Sequence, residues 1–321
     1  MTILVTGGTG FIGSHLINAL LANGKKVRIL TRRKSNINKL KKMNLEFAFG
    51  NLDDIDSLRK ATEDIEIVYH LAAMLGSPGV TYKQLYNVNV KGTENLVMAC
   101  EESKVKRFVL VSSVAAMGPV GYMADEKAEC NPATDYDKTK YLSEIVVKKS
   151  KLKWVIIRPT MVYGPGETKN KLRMFRLIQR GLFFIMGDGK NLMSLVYVGN
   201  LIEGIIKAGE NKNAVKQTYI ISDKKPYSMN EFVKTIARNE NVKTSIHLPV
   251  FVAYIGAFLF KVLSIFGIPQ LLSKDRIKNL TMNHSFDISK VMKELDYNPK
   301  MTLDEGVKRT VSWYKEEGML K

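Results

Sequence analysis

Ile3-Leu4-Val5-Thr6, Gly7-Gly8-Thr9-Gly10-Phe11-Ile12-Gly13 and Ser14-His15-Leu16-Ile17-Asn18-Ala19-Leu20-Leu21 follow one another at the head of the chain. An apolar, β-rich run, a glycine cluster and an amphipathic stretch in that order read as strand, turn and helix. Gly7 allows the tight turn, Gly10 lets the backbone approach a pyrophosphate, and Gly13 lets the helix pack closely on the strand, while the free N–H groups of the helix point at the phosphates. Read from Gly8, the run also fits G-x-G-x-x-G. That pattern alone is weak, because glycine turns often only turn, but here it lies directly after a strand and opens a helix. The stretch is a dinucleotide-binding unit by its context.

The rest of the chain repeats the alternation. Strands are expected at 26–30, 45–49, 65–70, 107–111 and 154–157, with helical stretches after Ser35, over 82–102 and over 136–149. Strands separated by helices imply a parallel sheet with right-handed crossovers, so the fold class is α/β, a doubly wound Rossmann sheet. Past Pro159 the pattern becomes irregular, with Gly164-Pro165-Gly166 and Gly187-Asp188-Gly189 turns around a helix at 172–180. The expected division is therefore a cofactor domain at 1–160 and a smaller substrate lobe at 161–321. A strand at 218–221 is expected to return to the main sheet, which interleaves the two.

Composition bounds the partners. With 321 residues and 45% hydrophobic content the chain can bury a large core, and its net charge of +18 suits nucleic acid, an anionic membrane or acidic ligands. Its basic clusters are short and scattered and are not interleaved with aromatics, so nucleic acid is not an expected partner. Cys100 and Cys130 are too few and too far apart for a disulfide framework and read as free thiols in a reducing compartment. The first strand begins at once, which leaves no room for a signal peptide, and a cytoplasmic location is expected. His15, His70, His247 and His284 show no metal-ligand spacing. No metal is expected, and His15 and His70 read as structural.

Asp135-Tyr136-Asp137-Lys138-Thr139-Lys140 puts Tyr136 and Lys140 four apart, on one face of a helix. A phenol of pKa about 10 is a poor base at neutral pH, and an adjacent ammonium favours the phenolate. Tyr136 can then exchange a proton with a substrate oxygen. Ser112 and Ser113 end the strand at 107–111, at the carboxyl edge where open α/β sheets bind ligands, and a hydroxyl there can steady the same oxygen.

On these motifs the chain resembles the extended short-chain dehydrogenase/reductases, the NAD-dependent epimerase/dehydratase group. The resemblance also rests on Gly50-Asn51-Leu52-Asp53, His70-Leu71-Ala72-Ala73, Asn89-Val90-Lys91-Gly92-Thr93, Arg158-Pro159, Tyr163-Gly164-Pro165 and Val196-Tyr197-Val198-Gly199-Asn200. It implies that Ser113, Tyr136 and Lys140 are the catalytic residues, with Lys140 also holding the nicotinamide ribose. It implies a cofactor site at Gly7, Gly10, Phe11, Ile12 and Gly13, with Asn51 and Leu52 by the adenine and Ala72 and Pro159 along the cofactor. Members acting on nucleotide sugars usually carry an asparagine where this chain has Met161 and an arginine near Met193. Loss of both suggests a more apolar substrate, and the remaining likeness looks closest to the 3β-hydroxysteroid dehydrogenase and dihydroflavonol reductase branches.

Cofactor choice turns on Thr31-Arg32-Arg33-Lys34, where NAD enzymes place a carboxylate for the ribose 2′-hydroxyl. An arginine fork matches a 2′-phosphate, so NADP is expected at Arg32, with NAD as the alternative. The leading expectation is an NADP-dependent oxidoreductase that interconverts an alcohol and a carbonyl on a steroid-, lipid- or flavonoid-like substrate. A nucleotide-sugar epimerase or dehydratase and a catalytically silent NADP sensor are the alternatives. Residues 248–268 carry the single charge Lys261 and five aromatics. They are long enough for a bilayer span of about 20 residues, but the chain after them resembles the same globule's closing segment. A helix dipping into one leaflet, or one buried behind the pocket, is expected instead; a peripheral membrane contact and a homodimer are the further partners admitted.

Overall fold

The structure is a computed structural model that describes residues 1–321 apart from 39, 244–245, 265–276 and 278–280, and apart from the side chains of 170 and 259–264. Its centre is β1 (Thr2–Thr6), followed by α1 (Phe11–Ala22), β2 (Lys26–Thr31), β3 (Glu46–Phe49), α2 (Ile55–Thr62) and β4 (Ile67–His70). Then come α3 (Tyr82–Tyr86), α4 (Gly92–Glu102), β5 (Arg107–Val111), α5 (Asp135–Lys149) and β6 (Trp154–Pro159). The second lobe holds β7 (Met161–Tyr163), α6 (Asn170–Gln179), β8 (Phe184–Met186), β9 (Leu192–Met193), β10 (Leu195–Tyr197) and α7 (Val198–Glu210). After β11 (Gln217–Ile221) and β12 (Tyr227–Ser228) follow α8 (Met229–Glu240), β13 (Ile246–Leu248), α9 (Val250–Ser264), α10 (Ser289–Leu295) and α11 (Leu303–Glu316).

Seven strands form one parallel sheet in the order β11-β6-β5-β4-β1-β2-β3. Its central strands β1, β4, β5 and β6 are buried almost throughout because helices cover both faces, while the edge strand β3 stays partly exposed. Ile3, Val5, Val109, Val111, Val155 and Ile157 point into one core, and Leu4, Val68, Phe108, Leu110 and Ile156 into the other, which is the two-residue alternation of a pleated strand. From β1 the chain winds outward to β3, then crosses to β4 and winds the other way. The crevice beyond the carboxyl ends of β1 and β4 is therefore the switch point at which such sheets take ligands. The strand expected at 218–221 does return to this sheet, as β11 beside β6.

Two helical expectations change. After Ser35 the described residues form only a short 3-10 turn, Leu40–Lys42, because the apolar pair Ile37 and Leu40 is buried by one tight turn closed by Leu40 N–H on the Ile37 carbonyl at 2.9 Å. The stretch over 82–102 is helical, but a π turn at Asn87–Lys91 separates α3 from α4 and turns the Asn89 side chain inward.

In the second lobe the strands pair in twos, β10 with β7, β12 with β9 and β13 with β8. Helix α9 packs Ala253 and Ala257, with Val250 at its start, on Ile277, Met186 and Leu248. Its other face leaves Phe251 (66% exposed), Tyr254 (40%), Ile255 (55%) and Phe258 (64%) in solvent. Their spacing of three and four residues makes them one stripe. Among the described residues no helix is long and apolar enough to cross a membrane; positions 265–268 of the apolar segment lie outside them.

Candidate active site

The turn after β1 is clamped from two sides. Gly7 has φ +72°, and a Cβ there would lie 2.7 Å from the Ala72 nitrogen, while a Cβ on Gly13 would lie 2.3 Å from the Gly7 carbonyl oxygen. Only glycine fits either position, so α1 is seated directly on the turn. Gly10 caps α1 without a side chain, and no acid occupies the first turn, which leaves its N–H groups directed at an anion. Phe11 and Ile12, half-buried, open the helix. His15 Nε2 donates to the Pro165 carbonyl at 2.7 Å and ties the start of α1 to the Gly164-Pro165-Gly166 turn.

A buried hydrogen-bond chain runs from this turn toward α5. Ala72 N–H donates to Thr6 Oγ1 (3.2 Å), which meets His70 Nδ1 (2.7 Å); His70 Nε2 meets Thr93 Oγ1 (3.0 Å), and Thr93 Oγ1 donates to the Asn89 carbonyl (2.5 Å). Burial, with the Lys140 charge adding to it, pushes the His70 imidazole down to about 3, so it is neutral. Because the one proton of Thr93 goes to Asn89, His70 must donate from Nε2 and accept from Thr6 at Nδ1. Asn89 extends the chain: its amide exchanges bonds with Met74 N–H (2.7 Å) and the Met74 carbonyl (3.0 Å), and donates to Thr139 Oγ1 on α5 (3.0 Å).

Helix α5 starts in a capping box between Thr134 and Asp137, which fixes where Tyr136 emerges. Lys140 is buried and donates to the Val111 carbonyl at 3.0 Å; burial, opposed by Glu144, lowers its ammonium to about 8. Tyr136 is half-buried, and burial followed by the Asp137 carboxylate pushes its phenol up to about 12. Spacing alone favoured a phenolate beside Lys140. In the fold desolvation wins, and the phenol holds its proton.

The two serines after β5 separate cleanly. Ser112 is buried and donates to Glu144 Oε1 at 2.7 Å. Glu144 also receives Arg158 Nε (2.9 Å) and Nη2 (2.7 Å), a bidentate pair buried at 0% and 2% exposure that fastens α5 to β6. Ser113 is half-exposed, and among the described residues its Oγ accepts only the Ala115 N–H at 3.1 Å, which leaves its proton for a ligand. Glu144 went unremarked in the sequence, although the period of four through Tyr136, Lys140 and Glu144 was a usable signal.

The remaining positions fall along the same carboxyl edge, strand by strand. Pro159 ends β6, Ser113 follows β5, Ala72 follows β4, Gly7 follows β1, Arg32 follows β2 and Asn51 follows β3. Arg32 is exposed, and just before it the buried Thr31 Oγ1 has no partner among the described residues. Asn51 turns its Oδ1 to Leu52 N–H (2.9 Å), and Leu52 is buried against Gly92, whose added Cβ would lie 2.8 Å from the leucine's. A row with uncapped helix N–H groups at its centre, a guanidinium at one end and Tyr136 with Lys140 at the other fits an extended dinucleotide. Of the two methionines, Met161 is exposed beyond Pro159, and Met193 is buried among core residues. Lys171, which sequence reasoning passed over, meets Met161: its Nζ lies 2.5 Å from the Met161 sulfur.

Sheet, switch point and glycine turn define a dinucleotide-binding α/β protein. The profile of the NAD dependent epimerase/dehydratase family matches residues 3–222, and the chain belongs to that family of NAD-dependent enzymes. It is 30% identical to the N-acetyl-alpha-D-glucosaminyl-diphospho-ditrans,octacis-undecaprenol 4-epimerase of Escherichia coli O157:H7, over 97% of this chain and 94% of that one. It is also 30% identical to the short-chain dehydrogenase/reductase family 42E member 1 of Danio rerio, over 99% of this chain and 89% of that one. The UDP-glucuronic acid 4-epimerase from Bacillus cereus, solved with UDP-glucuronic acid and NAD, superposes with a TM-score of 0.79 at 26% identity, over 99% of this chain and 100% of that one.

Proposed function

We propose that the chain is an NADP-dependent oxidoreductase that interconverts a carbonyl and an alcohol on a largely apolar substrate, with Ser113, Tyr136 and Lys140 as its catalytic residues. Residues 1–160 with β11 hold the cofactor, and 161–321 shape the substrate side. The observation that carries this reading is the sorting of groups at the carboxyl edge: Ser113 keeps a free proton while Ser112 does not, and Lys140 is buried one turn from a protonated Tyr136. The nicotinamide, when bound, supplies or accepts the hydride. Ser113 donates to the substrate oxygen and orients it, and Tyr136 delivers a proton to that oxygen as negative charge develops on it. Lys140 holds the ribose and keeps positive charge beneath the phenol.

Arg32 supports NADP, although the Bacillus cereus enzyme holds NAD. It is exposed at the end of β2, followed by Arg33 and Lys34, where a 2′-phosphate would meet a cationic fork rather than a carboxylate. The exposed face of α9 supports an apolar substrate met at a lipid surface. Phe184 and Ile246, paired across β8 and β13, are exposed as well, and the +18 net charge suits anionic lipid.

The Escherichia coli relative, an epimerase of a diphospho-undecaprenol sugar, favours a second reading in which hydride leaves and returns to the same substrate. Isotope transfer separates the two. With NADPH deuterated on the nicotinamide, the oxidoreductase reading expects label in the product in step with NADP accumulating. Product without label, formed while the cofactor stays bound, would replace it with the closed cycle.

A further inference from the structure

Three basic stretches that stand far apart in the sequence meet at the amino edge of the sheet, the end opposite Ser113 and Tyr136. Lys104 and Lys106 precede β5, Lys151 and Lys153 precede β6, and Lys212 and Lys216 precede β11; all six are exposed. Because β5, β6 and β11 are neighbours in the sheet, these segments lie side by side, about 4.8 Å from strand to strand. Hydrogen bonds join them: Phe108 N–H donates to the Lys153 carbonyl (3.3 Å), Lys216 N–H to the Trp154 carbonyl (2.7 Å) and Arg107 Nη1 to the Asn211 carbonyl (3.0 Å). Clusters that are scattered along the chain become one patch in the fold.

The charge of this patch is not cancelled locally. Lys106 pairs with Glu66 at 2.9 Å, which closes the patch on the β4 side, and the other five make no ion pair with a described residue. Helices α4, α5 and α7 end here, and their carbonyl termini offset roughly half a charge each. Glu101 adds one carboxylate, whose Oε1 accepts the Lys151 N–H at 2.7 Å. Five ammoniums set against these leave roughly two positive charges or more without a counterpart.

The side chains present select among anionic partners. The exposed cations are lysines; Arg107 is buried and turned to Asn211, so it offers no guanidinium fork to a phosphate. Among the described residues no large exposed apolar side chain falls within 101–107, 148–154 or 210–217, so nothing there stacks on a base or anchors in lipid. What the patch already receives is carboxylate, from Glu66 at Lys106 and from Glu101 at the Lys151 backbone. We propose that the amino edge of β5, β6 and β11 is a docking surface for an acidic polypeptide segment, one rich in aspartate and glutamate. Point charges on flexible stems fit carboxylates spaced along a chain, and they steer association more than they tighten it. The surface lies at the far end of the sheet from Arg32, Ser113 and Tyr136, so a docked partner leaves the cofactor crevice open.

Fluorescence anisotropy of a labelled polyglutamate peptide, titrated with the NADPH-loaded protein at low salt, tests this. Wild type should bind the peptide, and binding should weaken steeply as salt is raised. A Lys151→Gln, Lys153→Gln, Lys216→Gln protein should bind at least about tenfold more weakly. A Lys41→Gln, Lys42→Gln, Lys60→Gln protein, with an equal loss of charge toward the β3 end of the sheet, should stay within about twofold of wild type. NADPH affinity should be unchanged in both and reports that each is folded. Wild type that leaves the peptide free at millimolar concentration, or equal weakening in the two variants, overturns the docking surface. A thymidine oligonucleotide of equal charge and phosphatidylglycerol vesicles are the competitors. Displacement of the labelled peptide by either, at a lower concentration of anionic groups than unlabelled polyglutamate needs, overturns the choice of an acidic polypeptide.

Discussion

The carboxyl edge of the sheet and the outer face of α9 are built on opposite terms. From Ala72 through Thr6, His70, Thr93 and Asn89 to Thr139, each hydrogen-bonding group has a named partner, and proton counting fixes the His70 tautomer. On α9, Phe251, Ile255 and Phe258 stand more than half exposed. Directional bonds specify one arrangement, whereas apolar burial asks only for area. A site of the first kind states its chemistry in its residues; a surface of the second kind states only that something apolar should cover it.

The sharpest way to break the first half of that contrast is at Arg32. Wild type should bind NADPH at least about tenfold more tightly than NADH, and Arg32→Asp should reverse the order, a swing of about a hundredfold, since a carboxylate repels the 2′-phosphate that a guanidinium pairs. Titration of wild type showing a preference for NADH would remove the NADP assignment. The second half is tested by flotation. Wild type should float with anionic liposomes at low salt, and a Phe251→Glu, Phe258→Glu protein that still binds NADPH should float about tenfold less. If wild type stays unbound, the α9 face is not a lipid-docking surface.

Legibility in the sequence followed the same divide. The strand–glycine–helix unit could be read because Gly7 and Gly13 occupy positions that no side chain fits, and the sheet because its central strands are largely apolar on both faces. The helix expected after Ser35 failed because two apolar residues three apart are equally well buried by one tight turn. Nothing local could separate Ser112 from Ser113. That depends on Glu144, 32 positions from Ser112 and bonded to it only in the fold, and on Arg158, which holds Glu144 in place. The burial of Met193 was not legible either, and Lys171 looked like one more surface lysine until Met161 and Phe232 closed around it.

The central claim is that Tyr136 performs chemistry and contributes little to binding. Tyr136→Phe removes one oxygen from a half-buried ring and leaves the Lys140 bond to Val111 in place. Turnover of a substrate identified by deuteride transfer should fall by about a thousandfold, within the range of a lost general acid, while NADPH affinity stays within about threefold of wild type. A Tyr136→Phe enzyme that keeps most of its turnover would contradict the assignment of the active site.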